Sequence, residues 1–202
     1  MIFKVGRELM KQAAILFTVF FAFVLTANAQ GLSIGAAVEN FSLADANGKL
    51  QSFNDLKGTK GAVLVFVSAQ CPIVRMYNDR LNQIASDYKA KGITVIGINS
   101  NVTENGEQIK SHAAATFSFP VLIDKNSMLA DKLGASRTPE VYFLDAKNVL
   151  LYHGAIDNDR FGKNITEPYL RTAFDSSLAG KKIERSSVAA SFGCSIKRAG
   201  DQ

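Results

Sequence analysis

Two uninterrupted apolar runs constrain the fold more than any other feature. After Gly58 and Gly61 the chain reads Ala62-Val-Leu-Val-Phe-Val67, and further on Ile93-Thr-Val-Ile-Gly-Ile98. Apolar runs of this length without alternation read as strands covered on both faces. A sheet covered on both faces needs helices above and below it, which places the chain in the α/β class. Between the two runs Leu81, Ile84, Ala85 and Tyr88 recur at i, i+3, i+4 and i+7, the single apolar stripe of a helix running on from Pro72 and ending near Gly92.

The remaining pattern fills in around this unit. Val38 to Leu43 and Leu50 to Phe53 flank Asn47-Gly48, a dipeptide suited to a tight hairpin turn. A second helix covers Glu107 to Phe117, with Ile109, Ala113 and Phe117 spaced by four. Pro120 to Ile123 reads as a strand and Met128 to Leu133 as a short helix. Val141 to Leu144 and Val149 to Tyr152 pair through the turn Asp145-Ala-Lys-Asn148, and a last helix runs from Tyr169 to Leu178. The order implies one central mixed sheet flanked by helices, with an N-terminal β-hairpin extension. There is no internal repeat. After Gly180 the chain is polar and Ser-rich without a clear period, as expected of a tail over the surface.

The N-terminus has a different character. Lys4, Arg7 and Lys11 precede a continuous apolar segment, Ala13 to Leu25, and Ala27-Asn-Ala29 follows with small residues at the A-x-A spacing. This is the layout of a secretory signal peptide. The expected organisation is therefore a signal peptide at 1–29, one domain at 30–180 and a tail at 181–202. Met10 offers an alternative start, and an uncleaved membrane anchor is the competing reading of the apolar segment. Cleavage after Ala29 leaves 173 residues, an exported protein without a stable membrane anchor, in a bacterial periplasm. The whole chain carries +5, of which residues 1–29 supply +2. So small an excess, with no basic cluster beyond Lys181-Lys182, excludes nucleic acid as a partner.

Both cysteines, Cys71 and Cys194, belong to the exported part. An oxidising compartment permits a disulfide, and two cysteines allow one intramolecular pairing. Cys71 follows a buried strand and precedes Pro72. Proline is favoured at the first helical position, so Cys71 stands at a helix start, where free backbone N–H groups and the helix dipole stabilise a negative sulfur. A thiol with its pKa lowered from about 8.5 to about 7 gains roughly tenfold in thiolate at neutral pH. Arg75, one turn on, adds a positive charge if its side chain bends back. The other reading of Cys71 is a small apolar core residue. Its flanks Ser68, Ala69, Gln70 and Pro72 instead form a turn at the C-terminal end of a strand, where open α/β sheets place their sites.

At Phe66-Val-Ser-Ala-Gln-Cys71-Pro the sequence resembles the strand-to-helix active-site segment of the thioredoxin superfamily. Thr138-Pro139, just before a strand, matches the element that in this superfamily holds a cis peptide beside the cysteine. Gly35, Phe41-Ser-Leu43, Asn47-Gly48 and Leu56-Lys-Gly58 are similar to the entry of the alkyl hydroperoxide reductase and peroxiredoxin-like branch. Gly97-Ile-Asn-Ser100, Phe119-Pro120, Thr138-Pro-Glu140, Tyr152-His-Gly-Ala-Ile-Asp157 and Gly193-Cys-Ser-Ile-Lys197 follow in the order of bacterial redoxin proteins.

The resemblance implies a thioredoxin-like fold and an exported thiol-disulfide oxidoreductase or peroxiredoxin-like antioxidant protein that needs no cofactor. Cys71 is then the attacking thiol, and a peroxide or a thiol/disulfide protein the partner. A cis Thr138-Pro139 bond would offer backbone groups beside Cys71 to an extended substrate segment. Cys194 becomes the natural partner: it resolves the sulfenic acid or mixed disulfide on Cys71. A static bridge pinning the tail and two unpaired cysteines are the alternatives. The chain departs from both relatives, since Val74 replaces the second cysteine of Cys-x-x-Cys, and Leu64 and Ser68 stand where peroxiredoxins keep proline and threonine. Ser68 could replace the threonine hydroxyl, and Arg137 lies near the place of a peroxide-polarising arginine. Two functions of other classes remain: a redox-inactive binding module, and a copper handler drawing on the cysteines with His112 or His153. Asp157 and Asp159 read as turn formers.

Overall fold

The computed structural model describes residues 31–200, so the expected signal peptide lies outside the described residues. A hairpin opens the domain, β1 (Ser42–Asp45) and β2 (Leu50–Ser52), its turn closed by Gly48 at φ 81°. The short helix α1 (Phe53–Leu56) leads to β3 (Gly61–Phe66). Then come α2 (Pro72–Lys89), β4 (Ile93–Asn99), α3 (Gly106–Thr116), β5 (Val121–Ile123) and α4 (Met128–Leu133). The two-residue strand β6 (Arg137–Thr138) precedes the hairpin of β7 (Glu140–Asp145) and β8 (Leu150–Gly154), followed by α5 (Tyr169–Leu178). Two further short strands, β9 (Ser187–Val188) and β10 (Cys194–Ser195), end the described chain.

Two ladders, β2-β1-β5-β4 and β3-β7-β8-β9, meet at β3 and β4, where the Val67 N–H donates to the Ile98 carbonyl at 2.8 Å. Within the ladders the β4–β5 and β8–β9 pairs are parallel and the β1–β2, β1–β5, β3–β7 and β7–β8 pairs antiparallel, so the sheet is mixed. Its apolar runs are shared between two cores by side-chain alternation. Val63 and Val65 of β3 and Ile93 and Val95 of β4 join Val74, Tyr77, Leu81, Ile84 and Tyr88 of α2 and Leu170 and Phe174 of α5. Ala62, Leu64 and Phe66, with Ile96 and Ile98, face the other way onto Phe53 of α1 and Leu129, Ala130 and Leu133 of α4. Both faces of the central strands are thereby removed from water, as the unbroken runs require.

The segment after Gly180, expected on the surface, is instead woven into the fold. β9 adds in parallel to β8, and β10 pairs with β6. Ile196 is buried in the second core at 1% exposure. The sequence hides this because the strands are two residues long, Val188 is only partly buried, and the buried Ile196 stands alone among polar neighbours. Among the described residues no helix is long and apolar enough to cross a membrane.

Candidate active site

Cys71 is the N-cap of α2, with extended backbone (φ −82°, ψ 115°) and Pro72 at the first turn. The missing N–H of Pro72 removes a donor that would otherwise need a partner there. The cysteine is 2% exposed, between the end of β3 and the Thr138–Pro139 bond, which is cis. Its Sγ lies 3.3 Å from the Thr138 carbonyl oxygen, an acceptor for the thiol proton when the sulfur is reduced. The sulfur is bonded to Cys194 in a disulfide that spans 123 residues of sequence with the two Cα atoms 6.0 Å apart.

Three carboxylates fix the walls around this bond. Glu104, 7% exposed on the loop before α3, holds the turn that delivers Cys71. It accepts hydrogen bonds from the Ser68 hydroxyl, from the Ala69 N–H at 2.9 Å, from the Gln70 N–H at 3.3 Å and from the Asn99 side-chain amide at 2.7 Å. All four donors are neutral, so the carboxylate is satisfied by dipoles rather than by a cation. Arg75 does bend back along the helix, its guanidinium 3.5 Å from the Ala69 carbonyl.

Glu140 does the same for the opposite wall. It accepts from the Ser136 and Arg137 N–H groups at 2.9 and 3.1 Å and from the Tyr142 hydroxyl at 3.2 Å. Burial, and then the negative Glu140, push the Tyr142 hydroxyl up from its ordinary pKa, so it stays a donor. Asp157 forms the third support. It pairs with Arg80 at 2.6 Å and accepts from the Tyr77 hydroxyl at 3.3 Å; burial first and Asp157 second raise Tyr77 to about 12. A small cavity bounded by Tyr77, Pro139, Ile156, Asp157 and Phe192 lies beside the cis bond. Asp157 and Asp159 are both the turn formers expected: Asp157 accepts from the Asp159 N–H at 3.1 Å, and Asp159 from the N–H groups of Phe161, Lys163 and Asn164, while Asp157 is in addition a buried ion-pair partner.

The structure thus gathers Cys71, Pro72, Thr138, Pro139 and Cys194 at one point. Ser68 is one residue-turn away, its hydroxyl engaged by Glu104. Arg137 is exposed and enters the site through its backbone, which pairs with Ser195 and donates to Glu140. The histidines stand apart from the cysteines and from each other. His112 packs edge-on against Phe117 and His153 stacks on Tyr142, and burial lowers the pKa of both. Among the described residues no three His, Cys, Asp or Glu side chains are grouped to hold a metal ion. Glu104 escaped the sequence reading because it precedes a capping box, Asn105 with Gln108, and looks like ordinary loop polarity. The available signal was its position at the C-terminal edge of a buried strand, on the same side of the sheet as Cys71.

A helix-start cysteine beside a cis X–Pro bond, on a mixed sheet with helices on both faces, defines a thioredoxin-fold thiol protein. The pneumococcal exposed lipoprotein thioredoxin Etrx1 from Streptococcus pneumoniae shares this fold, with a TM-score of 0.55, 20% identity and coverage of 68% of this chain and 99% of that one. The chain belongs to the AhpC/TSA family, whose model matches residues 34–153. It is 28% identical over 146 residues to the thiol-disulfide oxidoreductase ResA of Bacillus thuringiensis, covering 72% of this chain and 82% of that protein. Over a longer stretch it resembles the crystal structure of protein SMc02350 from Sinorhizobium meliloti 1021, with a TM-score of 0.76, 32% identity and coverage of 85% and 97%.

Proposed function

We propose that this chain is an exported thiol-disulfide oxidoreductase that cycles between a Cys71/Cys194 dithiol and the disulfide. The observation that carries this reading is the bond itself: it joins the one cysteine placed at a helix start to a cysteine 123 residues away. A purely structural staple over a loop of that size would stabilise the fold by roughly 4–5 kcal/mol in the chain-entropy model. It would need neither a helix N-terminus nor the Thr138 carbonyl against its sulfur. The likeness to ResA supports the same class of chemistry, and the leader-like segment at 1–29 supports export.

In the dithiol state the Cys71 thiol gives its proton to solvent, and the thiolate is held by the positive end of α2. It attacks one sulfur of a partner disulfide, forms a Cys71–partner bond and releases the other partner sulfur as a thiolate. The Cys194 thiolate then attacks Cys71 Sγ, the second partner thiolate leaves, and the structure's disulfide results. The partner has gained two electrons and the protein has lost them. Membership of the AhpC/TSA family favours a peroxide as a second oxidant for the same pair. Cys71 would then be oxidised to sulfenic acid with release of the alcohol or water, and condensation with Cys194 would expel water.

The test is turnover with a dithiol as electron source. The mature chain accelerates reduction of a disulfide protein such as insulin, or of hydrogen peroxide, and Cys71→Ser abolishes it. No acceleration with either oxidant would leave the bridge static and the reading wrong. Retention of one Cu(I) per chain, lost in Cys71→Ser, would assign the site to metal handling instead.

A further inference from the structure

We infer that the C-terminal segment Phe192–Arg198 is a resident substrate strand, and that the protein therefore acts on extended segments carrying glycine before the cysteine and a branched aliphatic residue two after it. The inference rests on the thiol-disulfide exchange proposed above and names its substrate class. In the structure an extended strand lies antiparallel on β6, with Cys194 opposite Thr138 and Ser195 opposite Arg137, and its cysteine is covalently joined to Cys71. That arrangement is, bond for bond, the mixed disulfide of the exchange reaction with the partner's segment still paired to the enzyme. Here the partner's place is taken by the chain's own tail.

The contacts on either side of the cysteine define what the groove admits. Gly193 has φ 153°, and a Cβ there would come within 2.9 Å of the Thr138 carbonyl oxygen, so only glycine passes at this position. On the other side the Ile196 N–H donates to the Ser136 carbonyl at 2.9 Å, and its side chain is buried in the cluster that holds Leu133 and Ala135. The next residue is clamped by its backbone alone. The Lys197 N–H reaches Asn101 Oδ1 at 3.0 Å, and its carbonyl accepts from the Val102 N–H at 3.0 Å, so any side chain fits there. Backbone pairing supplies affinity without sequence, and the two pockets supply selectivity. Because the tail already satisfies both, it competes with any partner segment for β6.

The experiment uses the full mature chain as Cys194→Ser, reduced, with Cys71 free. Two synthetic peptides, Ser-Phe-Gly-Cys-Ser-Ile-Lys-Arg and the same peptide with valine for its glycine, each carry thionitrobenzoate in disulfide linkage on the cysteine. Cys71 attacks the peptide sulfur, forms the mixed disulfide and releases the coloured thionitrobenzoate anion. The glycine peptide should react at least tenfold faster than the valine peptide. Adding Ile196→Ala to the protein, which loosens the resident strand, should raise the glycine-peptide rate severalfold. Equal rates for the two peptides, or no response to Ile196→Ala, would overturn the inference. If Cys71 also fails to react with free dithiobis-nitrobenzoate, the exchange chemistry itself is at fault rather than the assignment of the tail.

Discussion

The two sulfurs of one bond are held by very different pieces of protein. Cys71 sits on an eighteen-residue helix anchored in the larger core, and the turn before it is gripped by a buried carboxylate with four donors. Cys194 sits on a two-residue strand between the half-buried Gly193 and the exposed Ser195, held by one short ladder, the buried Ile196 side chain, the backbone of Lys197 and the Arg198–Asp131 pair. In the proposed cycle this contrast separates two jobs. The attacking sulfur is placed rigidly at the helix start that would make it reactive. The second sulfur has to leave and return, a task suited to a short strand at the chain's end.

Three substitutions sharpen that division. Glu104→Ala leaves the buried Ser68 hydroxyl and Asn99 amide without their acceptor, along with the N–H groups of the half-buried Ala69 and the exposed Gln70. Orphaned groups of this kind cost on the order of 1–3 kcal/mol each, so we expect a loss of about 3 kcal/mol or more in urea unfolding. Glu104→Gln keeps the shape and one of the two acceptor oxygens, which still takes the Ala69 N–H and the Asn99 amide. It turns its NH2 toward the Ser68 hydroxyl, which can accept, so it should lose less than alanine. Gly193→Val acts on the other wall. It should change global stability by about 1–3 kcal/mol, the cost of the strained backbone, and should slow closure of the disulfide by tenfold or more after oxidant is added to the dithiol form. An equal effect of the two substitutions on unfolding and on bond closure would erase the distinction between the walls.

The smallest effect is that of pH. Burial lowers the pKa of His112 and of His153, opposed at His112 by the negative Glu104 and at His153 by the negative Glu140. The unfolded chain therefore binds protons that the folded one does not. Stability is highest above the ordinary histidine pKa of about 6.5 and falls as pH drops below it. His112→Gln combined with His153→Gln should flatten the dependence of the unfolding midpoint between about pH 7 and pH 5. An unchanged slope would show that other groups set it.

Much of this arrangement was legible in the residues, and what was not has physical reasons. The unbroken runs at Ala62–Val67 and Ile93–Ile98 point to a sheet covered on both faces, and the structure divides their side chains between two cores. Pro72 after Cys71 placed the helix start. The first strand was displaced, however. Val38 to Leu43 reads as the strand, but the ladder begins at Ser42, because Val38 is buried through an N–H donated to the Asn148 carbonyl rather than through pairing with Leu50 to Ser52. Asp157 is the turn former that the sequence suggests, but its ion pair with Arg80 and most of the hydrogen bonds to Glu104 reach residues 34 to 77 positions away, which no local pattern reports. The tail was misplaced for the same reason: β9 and β10 exist only because β8 and β6 offer them an edge.

The central claim is that the Cys71–Cys194 bond opens and closes in the folded protein. It is tested most directly by counting thiols with a maleimide mass tag on the native chain, with near-ultraviolet circular dichroism recorded alongside. The account predicts two tags after dithiol treatment, none after reoxidation, and a native dichroism signal throughout. A bond that takes up no tag until denaturant unfolds the chain would contradict it.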